Sequence, residues 1–415
     1  VTVISPIAGT PAASRGLRAG DVIAGVAGEP TEDLNLDEVV DLVRGPEGST
    51  VVLSIARPGF KDPFDVEIER TRIPQTSVRY SFLIEPDIGY IRLSEFSNTS
   101  TREVEEAIAA LTRQGMKRLI FDVRNNPGGP LDAAVGVSDL FLVKDQFITS
   151  TRGRTPENNT TFRAPGNPGG FEGPLVVLVN QGSASASEIV AGAVQDHDRG
   201  LVLGEVTWGK GLVQTVFTVR DTGLALTTAR YYTPSGRCIQ RDYESFIDYV
   251  THRNGNDSST AAIYETDAGR TVLGGGGITP DINVENRTLS ESMVRLYSVS
   301  AFFRFAVEIL ADVPDEEYLE VAEDFKIDEE YLDSFWTWVV EEEILEPGII
   351  ESLQEDEVEL ADITRGLTVE VYNATLGLNE GYQKALEGDD QMKEAIDNLD
   401  LAADFWDAFV EEHKE

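Results

Sequence analysis

Apolar and polar residues follow two different rhythms along this chain. Val51–Ala56 and Phe64–Ile68 alternate residue by residue, which predicts strands, with Arg57-Pro58-Gly59 turning between them. Val1–Ser5 and a stretch opening at Gly20-Asp21-Val22-Ile23 predict two more, around a small-residue helix near Pro11–Arg18. Val39, Val40, Leu42 and Val43 predict a helix from Asn35 to Val43, stopped by Gly45. Further strands are expected at Ser77–Leu83, Ile88–Leu93 and Arg118–Val123. A helix between the last two enters through Ser100-Thr101-Arg102-Glu103, a capping-box pattern, and carries Val104, Ile108 and Leu111 at helical spacing. Pro174–Asn180 is continuously apolar and reads as a buried strand, followed by a helix through Glu188–Val194 and a strand at Leu201–Gly204. Leu212–Val219 and Gly223–Tyr232 read as a hairpin.

Beyond residue 286 only the helical rhythm remains. Phe302, Phe305, Ala306 and Ile309 make one stripe; Leu332, Phe335, Trp336, Val339 and Val340 make another, after a cap at Asp328. Pro314 and Pro347-Gly348 separate helices. These stripes read as packed core and the acidic faces as solvated. The expectation is an α/β (α+β) multidomain chain in three units, 1–72, 73–286 and an all-α extension, 287–415.

Composition changes the picture in one region. The net charge is −39, and residues 301–415 hold 35 acidic against six basic side chains, while the other 300 hold 38 against 28. Nucleic acid is excluded as a partner, because phosphate binding needs clustered Lys and Arg, and anionic membrane surfaces are disfavoured for the same reason. Only eight lysines against so many carboxylates suggest adaptation to high salt; a charged, solvated helical appendage is the plainer reading. The 41% hydrophobic content supports ordinary cores, and no apolar run is long enough for a membrane span. The chain opens on a strand-like segment with neither Met nor signal peptide, so the natural start is expected further upstream. The lone Cys238 excludes an internal disulfide and reads as a structural strand residue. No Cys/His spacing points to zinc and no acidic loop to calcium, so neither metal nor cofactor is expected.

Candidate chemistry gathers in two segments, Gly182-Ser183-Ala184-Ser185-Ala186-Ser187-Glu188 and Gly209-Lys210-Gly211-Leu212-Val213-Gln214. A serine hydroxyl becomes a nucleophile when a neighbour takes its proton. Of His197, His252 and His413, none lies in a segment built for that work; His197 in Gln195–Gly200, near a helix end, reads as a surface or capping residue, not as part of a Ser-His-Asp triad. A neutral lysine serves if burial lowers its pKa. Ser183, Ser185 and Ser187 compete for the nucleophile. Gln214 is either a polar strand residue or the amide that aims Lys210. Gly204–Lys210 has the spacing of a phosphate loop, but Gly211 follows where Ser or Thr is needed, and a strand where a helix is needed.

Ser5-Pro6, Gly9–Ala12, Gly16–Ile23 and Val26–Gly28 resemble a bacterial PDZ domain, which binds an extended peptide beside its sheet. The family's upstream strand and glycine loop do not appear ahead of Val1, so an N-terminally truncated PDZ unit is expected. Together with Phe121–Gly129, Gly182–Glu188, Gln195-Asp196, Gly204–Gln214 and Gly277–Asp281, residues 1–286 resemble the carboxyl-terminal processing peptidases, or tail-specific proteases. The resemblance implies a crotonase-like core, with Ser185 as nucleophile, Lys210 as general base and Gln214 holding the lysine. The Ala186 amide, at a helix start, is the expected first oxyanion donor, and the Gly129 amide the second; the plainer reading of Gly128-Gly129 is a strand end and turn. It also implies a serine endopeptidase acting near protein C-termini, the PDZ unit recognising or sensing the substrate tail, and export to the periplasm or cell envelope. Partners are proteins or peptides with accessible C-termini; the helical tail mediates self-association, shields the site or recruits an adaptor. Two other functions are a non-catalytic PDZ scaffold and an acyl-transfer enzyme on a crotonase-like scaffold.

Overall fold

A computed structural model of the chain describes residues 1–243, 262–311, 313–314, 317–318, 321 and 325–413; His252 lies outside them. The first segment has short helix α1 (Pro11–Ser14), strands β1 (Val22–Val26) and β2 (Glu29–Pro30), helix α2 (Leu36–Val43), and strands β3 (Thr50–Ala56) and β4 (Phe64–Glu69). These strands form an antiparallel sheet ordered β2-β1-β3-β4. The alternation in β3 buries Val51, Leu53 and Ile55 against Val39 of α2. Val1–Ser5 is less than the expected strand, since only a bridge from Thr2 to Val22 forms. Asn35 and Glu38 complete a capping box on α2. Gly45 is not its left-handed stop: the chain leaves extended at Arg44, and Arg70 donates to the last carbonyls, Val43 O (2.7 Å) and Leu42 O (3.3 Å).

The central segment contains β5 (Val78–Glu85), β6 (Ile88–Leu93), α3 (Ser100–Gln114), β7 (Arg118–Asp122), α4 (Leu131–Asp139), β8 (Phe147–Gly153), β9 (Thr160–Arg163), β10 (Leu175–Val179), α5 (Ala186–Asp196), β11 (Leu201–Gly204), β12 (Leu212–Val219), β13 (Thr222–Tyr232), β14 (Ile263–Glu265), β15 (Thr271–Leu273) and β16 (Ile282–Asn283). Six strands form one sheet in the order β16-β11-β10-β7-β6-β5, parallel except for β5. The all-apolar β10 is fully buried at its centre, as expected of a parallel strand. A second sheet runs β12-β13-β8-β9, and its β12–β13 hairpin is the expected one. Helix α3 buries Val104, Ile108 and Leu111 as expected, but its cap differs. Thr99 is the N-cap; Glu103 Oε1 accepts from its hydroxyl at 2.6 Å, and Glu103 Oε2 accepts from the Ser77 and Val78 amides at 2.7 and 3.0 Å.

The last segment is helical: α6 (Glu291–Ser298), α7 (Ala301–Leu310), α8 (Glu329–Glu341), α9 (Pro347–Glu355), α10 (Glu357–Thr375), α11 (Leu378–Leu386), α12 (Asp390–Asp397) and α13 (Leu399–Glu412). Asp328 caps α8 as expected, through Tyr331 N. Val340 is exposed, and Trp338 takes the buried place expected for it. The chain forms two compact units: residues 1–74 with 287–389, and 75–286 with 390–415. The contact division therefore cuts the expected helical extension after Asp389. No helix among the described residues is long and apolar enough to cross a membrane.

Candidate active site

Three neighbouring parallel strands, β7, β10 and β11, end side by side. In open α/β sheets, sites form beyond such carboxyl ends. The loop after β7 holds Asn125–Gly129, the loop after β10 leads to Ser185, and the chain after β11 leads to Lys210.

The first two loops interlock. Asn126 O accepts from Ala184 N (2.9 Å) and from Ser187 Oγ (3.0 Å). Asn180 Oδ1 accepts from Asn125 N at 2.8 Å, and Asn180 Nδ2 donates to Asn125 Oδ1 at 3.0 Å. Ser183 Oγ donates to Val123 O at 2.7 Å. Of the three competing serines, Ser183 and Ser187 are thus spent on main-chain carbonyls. Ser185 sits at the N-cap of α5 with φ 57° and ψ −109°, a sparsely populated conformation for a non-glycine residue. Such backbones are held only where surrounding structure enforces them, and they gather at functional sites.

The Ala186 amide, in the first turn of α5, has no hydrogen-bond partner among the described residues, and neither has that of Gly129. Gly128 packs against the first of these amides. A Cβ on Gly128 would stand 2.8 Å from Ala186 N and 2.8 Å from Ser185 Cβ, at a φ of 93°. Only glycine allows this approach.

Glu188 joins the serine loop to the lysine loop. It is fully buried; its Oε2 accepts from Ser185 N (2.8 Å) and Lys210 N (2.9 Å), and its Oε1 from Gly209 N (2.8 Å) and Thr207 Oγ1 (2.6 Å). Burial pushes the Glu188 carboxyl up, against the pull of these four donors. The sequence reading gave Glu188 no role. Its place at the third position of a helix signals a cap, but not the second loop it also holds.

A second buried carboxylate stands beneath the β7 loop. Asp122 accepts from Tyr90 Oη (2.6 Å), Arg92 Nη1 (3.0 Å) and Arg124 Nη2 (2.7 Å). Burial would raise its pKa, but the Arg124 and Arg92 guanidiniums outweigh that and hold it below the usual carboxylate range.

Lys210 is half-buried, and no hydrogen bond joins its Nζ to Ser185 Oγ among the described residues. Gln214 is exposed on β12, beside a register shift between Val213 and Gln214, and makes no hydrogen bond to Lys210. Glu188 brings the Ser185 and Lys210 main chains together; no side-chain hydrogen bond joins Ser185, Lys210 and Gln214 to one another among the described residues. After Lys210 comes strand β12, so the phosphate-loop spacing has no helix to serve. His197 caps the end of α5 as expected but is buried; Nδ1 pairs with Asp267 (2.6 Å) and Nε2 with Phe147 O (2.7 Å), away from Ser185. No cluster of three His, Cys, Asp or Glu side chains among the described residues could hold a metal.

The model of peptidase family S41 matches residues 87–245, and a PDZ domain model matches residues 2–57. A carboxy-terminal-processing protease of Bartonella bacilliformis is 44% identical over 245 residues, covering 58% of this chain and 56% of its own. A carboxyl-terminal-processing protease of Synechocystis sp. is 40% identical over 244 residues, with the same coverage, 58% and 56%. This chain thus spans about half the length of these curated relatives. Among solved structures, a photosystem II D1 C-terminal processing protease is 30% identical, covering 71% of this chain and 70% of its own, with a TM-score of 0.39. The S41 match covers the loops that carry Ser185 and Lys210, and the PDZ match covers β1 to β3, so the chain carries a peptidase family S41 domain at residues 87–245 beside a PDZ domain.

Proposed function

We propose that this chain is a serine endopeptidase that cleaves proteins near their C-termini through Ser185 and Lys210, on a crotonase-like core. The observation that carries the reading is Glu188, whose one carboxylate oxygen accepts from both the Ser185 and Lys210 amides. Ser185 Oγ attacks the scissile carbonyl while the amine form of Lys210 takes its proton. The C–N bond then breaks as Lys210 returns that proton to the leaving nitrogen, and water hydrolyses the acyl-serine by the same route. The Ala186 and Gly129 amides receive the oxyanion, each contributing about 3–4 kcal/mol to barrier lowering. Gln214 orients the lysine once substrate is bound. The PDZ unit recognises the substrate tail, and the protein works in the periplasm or cell envelope.

The absent Ser185–Lys210 hydrogen bond and the exposed Gln214 favour a second reading, a peptide-binding scaffold without catalysis. Active-site hydrogen bonds often tighten only with substrate bound, so the geometry leaves catalysis open. Cleavage of casein by the chain and by its Lys210→Ala variant separates the two. Cleavage lost with the lysine supports the dyad; cleavage that survives it removes the dyad, and no cleavage by either supports the scaffold. Binding of coenzyme A without peptide hydrolysis would point instead to acyl transfer.

A further inference from the structure

We propose that Gln391, from the acidic helical end of the chain, is a positioning residue for the oxyanion loop Asn125–Gly129, acting through Arg124; this rests on the peptidase reading above. Gln391 is the second residue of α12 and is fully buried. A buried amide must have both of its ends satisfied. Its Oε1 accepts from Arg124 Nη1 at 2.9 Å, and its Nε2 donates to Val284 O at 2.7 Å.

Each partner belongs to a strand end that serves the site. Arg124 follows β7 and leads directly into the loop. Its Nε and Nη2 are held by Asp122 at 3.0 and 2.7 Å, and its own carbonyl accepts from Arg92 at 3.1 Å. Val284 follows β16, and its amide donates to Gly204 O at 2.9 Å, at the end of the strand that leads to Lys210. One side-chain amide therefore spans the strand ends that deliver the oxyanion loop and the lysine. Apolar packing alone would be met by Met392 and Ala395, both buried on the same helix. Leucine at 391 would fill similar space but strip a hydrogen bond from each partner.

The experiment compares the full chain with Gln391→Leu and Gln391→Glu, the latter keeping an acceptor for Arg124. Casein cleavage and melting are measured with hydrogen–deuterium exchange of residues 124–130 and 182–190. For Q391L, kcat is expected to fall about ten- to a hundred-fold, the range for a misplaced reacting group. KM and the pH profile should hold, and exchange should quicken in 124–130 but not in 182–190. For Q391E, kcat and exchange should stay near those of the parent. A Q391L variant with parental kcat and exchange overturns the proposal, as does quickened exchange in both segments, the mark of general loosening. If Q391L does not fold, Q391E decides: parental exchange in 124–130 supports the proposal, quickened exchange in a folded protein overturns it. If the parent cleaves nothing, the peptidase reading falls, and exchange still decides whether Gln391 holds the loop.

Discussion

Two buried carboxylates organise the site at the scale of single residues, and neither is the attacking group. Glu188 ties the serine and lysine loops, and Asp122 anchors the arginine before the Asn125–Gly129 loop. Asp122 also sets a pH dependence. Its pKa is depressed in the folded protein, so the folded state releases that proton more readily than the unfolded chain. Its contribution is present above the ordinary aspartate range and is lost as pH falls through the depressed value. Asp122→Asn should cost about 3–5 kcal/mol at pH 7, the usual penalty for breaking a buried ion pair. In acid, the gap in urea midpoint between variant and parent should shrink; a gap that stays constant from pH 7 to pH 3 would contradict this role. Ser185 and Lys210 could be singled out from sequence because serine and lysine sit in glycine-flanked segments whose spacing matches a known pattern. Glu188 and Asp122 lie inside the same motifs, yet their work depends on donors arriving from other loops. Gln391 could not be found at all, because its partners are brought to it only by the fold.

Elements were legible where burial is one-sided or complete. The apolar β10 and the Val104–Ile108–Leu111 face of α3 follow the expected rhythm, and the β12–β13 hairpin forms as expected although most of its residues are exposed. Helix α4 was not foreseen, because Leu131–Asp139 mixes small and apolar residues with weak periodicity. Nor were β8 and β9, whose Thr and Ser positions carry little apolar alternation. Helix α13 makes a particular claim on its unit. Arg199, fully buried and pushed down to about 9 by burial, donates to Phe141 O, Phe171 O and Gly173 O, while Trp406 and Phe409 lie 4.4 and 5.5 Å from its guanidinium carbon. Trp406→Ala should therefore destabilise that unit by about 2 kcal/mol, the scale of a desolvated cation–π contact. Calorimetry would show the transition of that unit moving down; an unchanged transition would mean that α13 is not part of it.

Across the whole molecule, charge is the dominant sequence feature and the least visible in any single contact. A net charge of −39, concentrated in residues 301–415, repels itself in the compact state. Raising ionic strength from 0.1 M to 1 M shortens the screening length from about 10 Å to about 3 Å. The melting temperature should rise by several degrees across that range in potassium chloride, and a flat or falling Tm would remove the high-salt reading. The division after Asp389 was not legible, because acidic amphipathic helices on both sides of it share one composition. Which core receives each helix depends on individual buried side chains, Phe305 and Phe335 in one unit, Gln391 and Phe409 in the other.

The central claim is that Lys210 activates Ser185. Its most direct test is the rate of casein cleavage by the full chain against Lys210→Ala, with far-UV circular dichroism confirming the fold of both. Loss of a general base predicts a fall in kcat of about 10²- to 10⁴-fold with the fold intact. Parental cleavage by a folded Lys210→Ala protein would contradict the account.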